Sequence, residues 1–199
     1  MTSLREDDRL DLSNGYEAAA AEFMAGRGSS RIGVRTVRVW AESFSPGASI
    51  LDLGCGHGVP ISQTLADAGL AVWGVDASPR MVAAFRARFP AAAVACESVE
   101  ASALFARHFE GAVSWGMMFL LPAATQRTLI QKVGAALVEG GRFLFTAPWQ
   151  ECEWTDMLTG RLSVSLGRAE YERSLTAAGL TLAREHVDEG ENRYFEAIR

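Results

Sequence analysis

Two aspartates and three glycines occupy the positions where this chain could do chemistry. The segment Ile50-Leu51-Asp52-Leu53-Gly54-Cys55-Gly56-His57-Gly58 runs from apolar residues into an acid and then into alternating glycines. A second apolar run, Ala71-Val72-Trp73-Gly74-Val75, ends at Asp76, about 20 residues after Gly56, the span of one strand–helix–strand unit. Glycine has no Cβ, so it takes left-handed backbone angles and lets a ligand approach the peptide plane. A buried strand that enters a glycine loop and then a helix near Val59-Pro60 forms a nucleotide-type site. A carboxylate at the end of the next strand can accept hydrogen bonds from both hydroxyls of a ribose. Ser78-Pro79 then supply a helix cap and a first-turn proline, so a plain turn or capping role is the structural alternative for Asp76.

The type of nucleotide follows from the details of the loop. A dinucleotide fingerprint needs the spacing G-x-G-x-x-G. Counted from Gly54, the last of those positions is Val59, and the glycine falls one residue early at Gly58. Asp52, just before the loop, would repel a pyrophosphate and attract a ligand carrying a positive amino group. With these residues the segment resembles motif I of the class I S-adenosylmethionine (SAM)-dependent methyltransferases, and Asp76 resembles that family's acidic ribose ligand. The resemblance implies SAM as methyl donor, S-adenosylhomocysteine as product and no metal.

The elements that must position these residues alternate along the chain. Strands are expected at 50–53, 71–75, 92–96, 111–115 and 142–147, and helices at 59–68, 79–89, 98–107, 125–138 and 168–178. The runs 180–187 and 193–198 are joined by Asp188-Glu189-Gly190-Glu191-Asn192, a connection short enough to force an antiparallel hairpin. Two helical segments precede all of this. One runs from Tyr16 to Met24 and is broken at Gly26-Arg27-Gly28-Ser29-Ser30; the other runs from Gly33 to Phe44. Alternation means a parallel sheet covered on both faces. The expected fold is α/β: a doubly wound, mostly parallel seven-stranded sheet, Rossmann-like, with N-terminal helices and the C-terminal hairpin. The strand order 3-2-1-4-5-7-6 is implied by the resemblance.

Composition narrows the partners. The 199 residues, 49% hydrophobic and 22% charged, suit one domain over 1–199. The net charge is −5, and the arginines at 27, 31, 35 and 38 are spread out, which disfavours nucleic acid. Three cysteines without metal-ligand spacing read as reduced thiols in the cytoplasm. Residues 1–13 are charged and expected to be mobile. They do not read as a signal peptide, and no apolar run is long enough for a membrane span.

A ligand on such a sheet lies across the carboxyl ends of its strands. Through the resemblance, the cofactor set is Asp52, Gly54, Cys55, Gly56, Asp76, Ala77, Met81, Glu97, Ser98 and Trp115, with Glu97 or the Ser98 backbone at the adenine. Arg27 or Arg31 could meet the SAM carboxylate. After strand four, Gly116 permits close approach, while Met117, Met118 and Phe119 form either a substrate wall or core. The acceptor set is Tyr16, Met117, Trp149 and Trp154. The last two tryptophans belong to the segment 148–167, which is long for a connection and reads as a substrate lid, or else as an amphipathic helix with buried tryptophans. Of the histidines, His57 is expected on the solvent side of the glycine loop, His108 at a helix end and His186 in a strand.

No residue stands out as a general base, and an already activated sulfonium needs one only if the nucleophile must lose a proton. Ser114-Trp115-Gly116-Met117 lacks the acidic or Asn residue, prolines and aromatic of relatives that methylate base amino groups. The expected acceptor is therefore a small molecule, apolar or aromatic. A non-catalytic SAM-binding regulatory protein and an NAD(P)-dependent oxidoreductase are the rival readings.

Overall fold

The computed structural model describes residues 11–199, so the expectation of mobility falls outside it for residues 1–10. Residues 11–13 are tied down instead. The Asp11 carboxylate accepts from the N–H groups of Ser13 (3.0 Å) and Gly15 (2.9 Å) and pairs with Arg161 at 3.0 Å.

Nine strands and six α-helices make up the described chain. The strands are β1 Ser49–Leu53, β2 Ala71–Asp76, β3 Ala93–Cys96, β4 Phe109–Ser114, β5 Leu137–Thr146, β6 Glu151–Thr155, β7 Leu162–Leu166, β8 Thr181–Val187 and β9 Arg193–Ile198. The helices are α1 Tyr16–Arg27, α2 Val34–Ala41, α3 Ile61–Asp67, α4 Pro79–Arg88, α5 Ala123–Ala136 and α6 Arg168–Ala177. Seven strands form one sheet in the order β3-β2-β1-β4-β5-β9-β8. β1 to β5 run parallel, and β9 is antiparallel to both β5 and β8. This is the order the resemblance implied. The antiparallel end follows from the tight turn at 188–192, where the Asp188 carboxylate accepts from the N–H groups of Gly190 and Asn192 at 2.9 Å each.

Helices cover both faces because the strands are apolar on both. Along β5, Phe143 and Phe145 pack with Leu129, Ile130 and Val133 of α5 and Tyr171 of α6. Leu144 between them points the other way, towards Trp40 of α2, Leu65 of α3 and Phe85 of α4. That is the period-two alternation of a strand buried on both sides.

Three segments differ from the expectations. Residues 98–107 form no α-helix: a turn is followed by a short 3-10 turn at Leu104–Ala106, with left-handed φ at Leu104, Phe105 and Ala106. Ser98 Oγ accepts from Ala101 N (3.3 Å) and Ser102 Oγ from Leu104 N (3.0 Å), local bonds that compete with a helical ladder. His108 is consequently an exposed residue before β4 and ends no helix. The segment 148–167 is neither a bare loop nor a helix. It is the β6–β7 hairpin, in which exposed Glu151, Glu153 and Thr155 alternate with half-buried Cys152 and Trp154. That alternation is a strand signal. Lastly, α1 continues through Gly26 to Arg27.

Candidate active site

The site is assembled where β1 and β2 end side by side, Leu53 opposite Val75. The chain turns back at once: Gly54 N (2.8 Å) and Cys55 N (3.2 Å) both donate to Val75 O, and Gly58 N donates to Cys55 O (2.9 Å). Gly54, at φ +71°, could not carry a side chain, because a Cβ there would lie 2.6 Å from Met117 Cγ. Gly56 N donates to Asp76 Oδ2 at 2.8 Å, and Ser78 N donates to Asp76 Oδ1 at the same distance. Each Asp76 oxygen is thereby fixed by one backbone N–H and keeps lone-pair capacity for a ligand. Burial pushes the Asp76 carboxyl above its ordinary range, against the pull of those two N–H groups.

Opposite this wall, the turn after β4 is set by Gly116 N donating to Thr146 Oγ1 at 2.7 Å. Trp115 Nε1 donates to the Tyr194 hydroxyl (2.7 Å), which donates in turn to Asp188 (2.7 Å). The Arg27 guanidinium lies 4.4 Å from the centre of the Trp115 ring, a cation–π contact that brings the end of α1 over the cavity. The start of α1 is latched by Glu17, which accepts from Ser78 Oγ and Arg80 N (3.1 Å) at the head of α4. Glu17→Ala should loosen α1 by about 1 kcal/mol, since these are bonds to a charged acceptor in a partly exposed place. Hydrogen exchange at residues 16–27 should speed up while that of β1 and β4 stays unchanged; equal exchange in the variant would show that the latch does not hold the helix.

Between these walls lies a cavity of about 220 Å³. It gathers the expected Gly54, Gly56, Asp76, Ala77, Met81, Ser98 and Trp115, together with Tyr16 and Met117. The other expected residues lie elsewhere. Asp52 sits behind the glycine loop, 2% exposed, and accepts from the Ser62 hydroxyl. Burial above all, and the Asp76 charge, lift its carboxyl to about 7. The Cys55 thiol is buried against Gly74 of β2, where a Cβ would meet its sulfur at 2.7 Å. Glu97 meets β2 through its own N–H, donated to Asp76 O at 3.0 Å, while Ser98, Val99 and Glu100 reach the cavity. Trp149 packs under Arg193, 4.5 Å from the guanidinium, and faces a different hollow beside β6 and α6. Trp154 tilts against Phe119 at 5.2 Å and lines an adjoining cavity that shares Phe119 and Asn192 with the first. Of the two arginines, Arg27 lines the cavity and Arg31 is exposed.

His57 departs from its expected place. It is 4% exposed, edge-on to Phe23 at 6.2 Å, and neither ring nitrogen has a hydrogen-bond partner. Burial, then Arg88 and Arg27, lower its pKa, which keeps the ring neutral. Among cavity residues not foreseen, Phe23 follows from helical spacing, because Tyr16, Ala20, Phe23 and Arg27 share one face of α1. Asp156 and Asn192 carry no such signal, being brought in by the turns of β6–β7 and β8–β9.

The cavity discriminates between ligands. The N–H groups of Gly54, Cys55, Gly56 and Gly58 all have protein partners, so these four are not free to cradle a pyrophosphate. Among the cavity's polar groups, the Asp76 carboxylate, the Ser98 turn and the Arg27 guanidinium suit a nucleoside bearing an amino-acid tail. No group of metal-ligating side chains occurs among the described residues.

Comparison with known proteins agrees. Residues 50–141, just under half of the chain, match the profile of a family described as "Methyltransferase domain". No curated protein sequence matches the chain. Among solved structures, the 1,6-didemethyltoxoflavin-N1-methyltransferase of Burkholderia thailandensis, bound to 1,6-didemethyltoxoflavin and S-adenosylhomocysteine, is similar with a TM-score of 0.77 and 17% identity, covering 100% of this chain and 92% of that one. The CcbJ methyltransferase of Streptomyces caelestis gives 0.71 and 17%, covering 94% and 97%. The magnesium protoporphyrin IX methyltransferase of Synechocystis PCC 6803 with bound SAM gives 0.68 and 17%, covering 100% and 86%. At such identities these likenesses speak for the fold. The family profile covers the glycine loop, Asp52 and Asp76.

Proposed function

We propose that this chain is a SAM-dependent methyltransferase that transfers a methyl group from SAM to a small, largely apolar acceptor. The observation that carries the cofactor side is Asp76, held on the cavity wall by the N–H groups of Gly56 and Ser78 while the N–H groups of Gly54, Cys55 and Gly58 are occupied within the protein. In this reading Asp76 accepts from both ribose hydroxyls, the Ser98–Val99 backbone and Met81 hold the adenine, and Arg27 meets the methionine carboxylate. SAM supplies a methyl already activated on a sulfonium. The work left to the chain is to orient the acceptor and keep water out. Met117, packed on Gly54, and Trp115, pinned by Tyr194, form the wall where donor and acceptor meet. Phe119, Leu120 and Leu121 extend that wall as apolar surface, which supports an apolar or aromatic acceptor. The similar proteins that act on toxoflavin precursors and porphyrins favour a small molecule over a macromolecule. No helix among the described residues is long and apolar enough to cross a membrane. The free thiols of Cys55, Cys96 and Cys152 fit the reducing cytoplasm.

Calorimetric titration tests the cofactor. S-adenosylhomocysteine should bind and NADH should not; the reverse would end this reading. Asp76→Ala should weaken S-adenosylhomocysteine binding by about 1–3 kcal/mol, the scale of hydrogen bonds to a charged group. Unchanged affinity in a folded variant would remove the ribose role.

A further inference from the structure

The acceptor side of the cavity carries a hydrogen-bonded polar pair that the cofactor does not account for. Tyr16, the first residue of α1, donates its hydroxyl hydrogen bond to Asp156 Oδ2 at 3.3 Å, and both residues line the cavity. Asp156 belongs to the tip of the β6–β7 hairpin. Its Oδ1 is spent on that tip, accepting from Leu158 N (3.2 Å), Thr159 N (2.8 Å) and Thr159 Oγ1 (2.8 Å). Its Oδ2 is turned to the phenol. Among the described residues three carboxylates line the cavity. Both oxygens of Asp76 are engaged at the ribose end, and Glu100 lies on the Ser98–Val99 side, exposed. No histidine lines it. The rest of the lining around Tyr16 is mainly apolar, with Leu12, Met117, Phe119, Leu120 and Leu121 beside Ser13, Asn14 and Asn192, and it continues past Phe119 to Trp154 and a second space of about 310 Å³.

From this juxtaposition we infer that Tyr16 and Asp156 are the polar end of the acceptor site, binding a proton-bearing oxygen or nitrogen at the edge of an otherwise apolar planar molecule, and that Asp156 takes its proton. The inference rests on the SAM reading above and adds the class of nucleophile to it. In the reaction the acceptor's X–H proton passes to the Tyr16 oxygen while the Tyr16 proton moves to Asp156 Oδ2. The X–C bond to the methyl forms as the C–S bond breaks, and the C–S electron pair stays on sulfur. A neutral acceptor thus yields a neutral methyl ether or methylamine, and the positive charge lost from sulfur is balanced by the neutralised carboxylate. Because Tyr16 comes from α1 and Asp156 from the hairpin, the pair exists only when both covers meet over the cavity. Asp11 and Arg161 bridge the same two elements at 3.0 Å.

The test uses the full chain saturated with S-adenosylhomocysteine and two probes of one shape, 1-naphthol and 1-methoxynaphthalene, titrated by calorimetry. The naphthol should bind at least about tenfold more tightly than its methyl ether, the scale of one buried hydrogen bond to a phenol oxygen polarised by a neighbouring carboxylate. D156N keeps the Oδ1 acceptor that the hairpin tip needs and replaces Oδ2 with a donor. It should bring the two affinities within about twofold, and Y16F should shrink the preference as well. Equal binding of both probes to the unmodified protein, or binding of neither, overturns the proposed acceptor class. A preference that D156N leaves intact overturns the role of Asp156. Failure to bind S-adenosylhomocysteine in the first step would instead strike the SAM reading itself, so the two failures are distinct.

Discussion

Gly54→Ala should destabilise the protein by about 2–5 kcal/mol and distort the boundary between donor and acceptor. Two costs add. Gly54 has φ +71°, where a residue with a Cβ pays about 1–2 kcal/mol. The new methyl would also lie 2.6 Å from Met117 Cγ and 2.7 Å from its Cβ. A Cβ cannot be moved aside by a rotamer change, so the β4 turn itself must give, at an overpacking cost of about 1–3 kcal/mol. Gly58, at φ +87°, carries the same backbone cost, but a Cβ there would meet Phe89 Cε2 at 2.2 Å, the far edge of a half-buried ring rather than a Cβ fixed to the backbone. Urea unfolding midpoints for Gly54→Ala and Gly58→Ala should therefore rank the first as the worse. Near-native stability for Gly54→Ala would show that the loop and Met117 are not in the tight contact described above.

The second large effect is linked to pH. Asp52 is buried, and its carboxyl is lifted to about 7, first by desolvation and further by the Asp76 charge, against the hydrogen bond from Ser62. In the unfolded chain the same group titrates near 4. A carboxyl raised on folding contributes its full share of stability below the unfolded value and loses it as pH rises through the folded one. Asp52 should thus drain stability from the protein between about pH 4 and pH 7, and no further above about pH 8. Asp52→Asn keeps an oxygen for the Ser62 hydroxyl and removes the ionisation. Relative to the parent, the variant should gain about 2–4 kcal/mol on going from pH 4 to pH 8. Comparing the pair isolates Asp52 from Asp76, whose carboxyl is shifted in the same direction. A stability difference flat across that range would mean that Asp52 is not held in a charge-excluding site.

Asp52 also illustrates how far residue types alone lead. An acid before a glycine loop reads as a partner for a cationic ligand, yet here it lies behind the loop and accepts from Ser62 of α3. Asp76, read from the same pattern, stands on the cavity wall. The difference is one of direction. Asp52 lies within β1, paired to β2 and β4, whereas Asp76 is the last residue of β2 and is turned into the loop. Strand alternation could be followed through β5 because apolar runs, glycines and prolines punctuate it locally. The same reasoning failed at 98–107, where alanine-rich composition favours a helix but Ser98 and Ser102 satisfy nearby N–H groups in other ways. Nor does a run as short as Glu151-Cys152-Glu153-Trp154-Thr155, with only two apolar residues, separate a strand from a loop by its alternation.

The sequence by itself determined the parallel sheet, its order through family resemblance, the glycine loop and the acid that ends β2. Each of these is local: a run of apolar residues, a glycine that must take a left-handed angle, an acid at a strand end. Only the tertiary structure decided what closes the cavity. Tyr16 and Asp156 are far apart along the chain, as are Trp115 and Tyr194, and each pair meets because separate elements pack over the strand ends. Such contacts depend on how α1 and two hairpins settle on a finished sheet, and no short-range pattern in the chain encodes that.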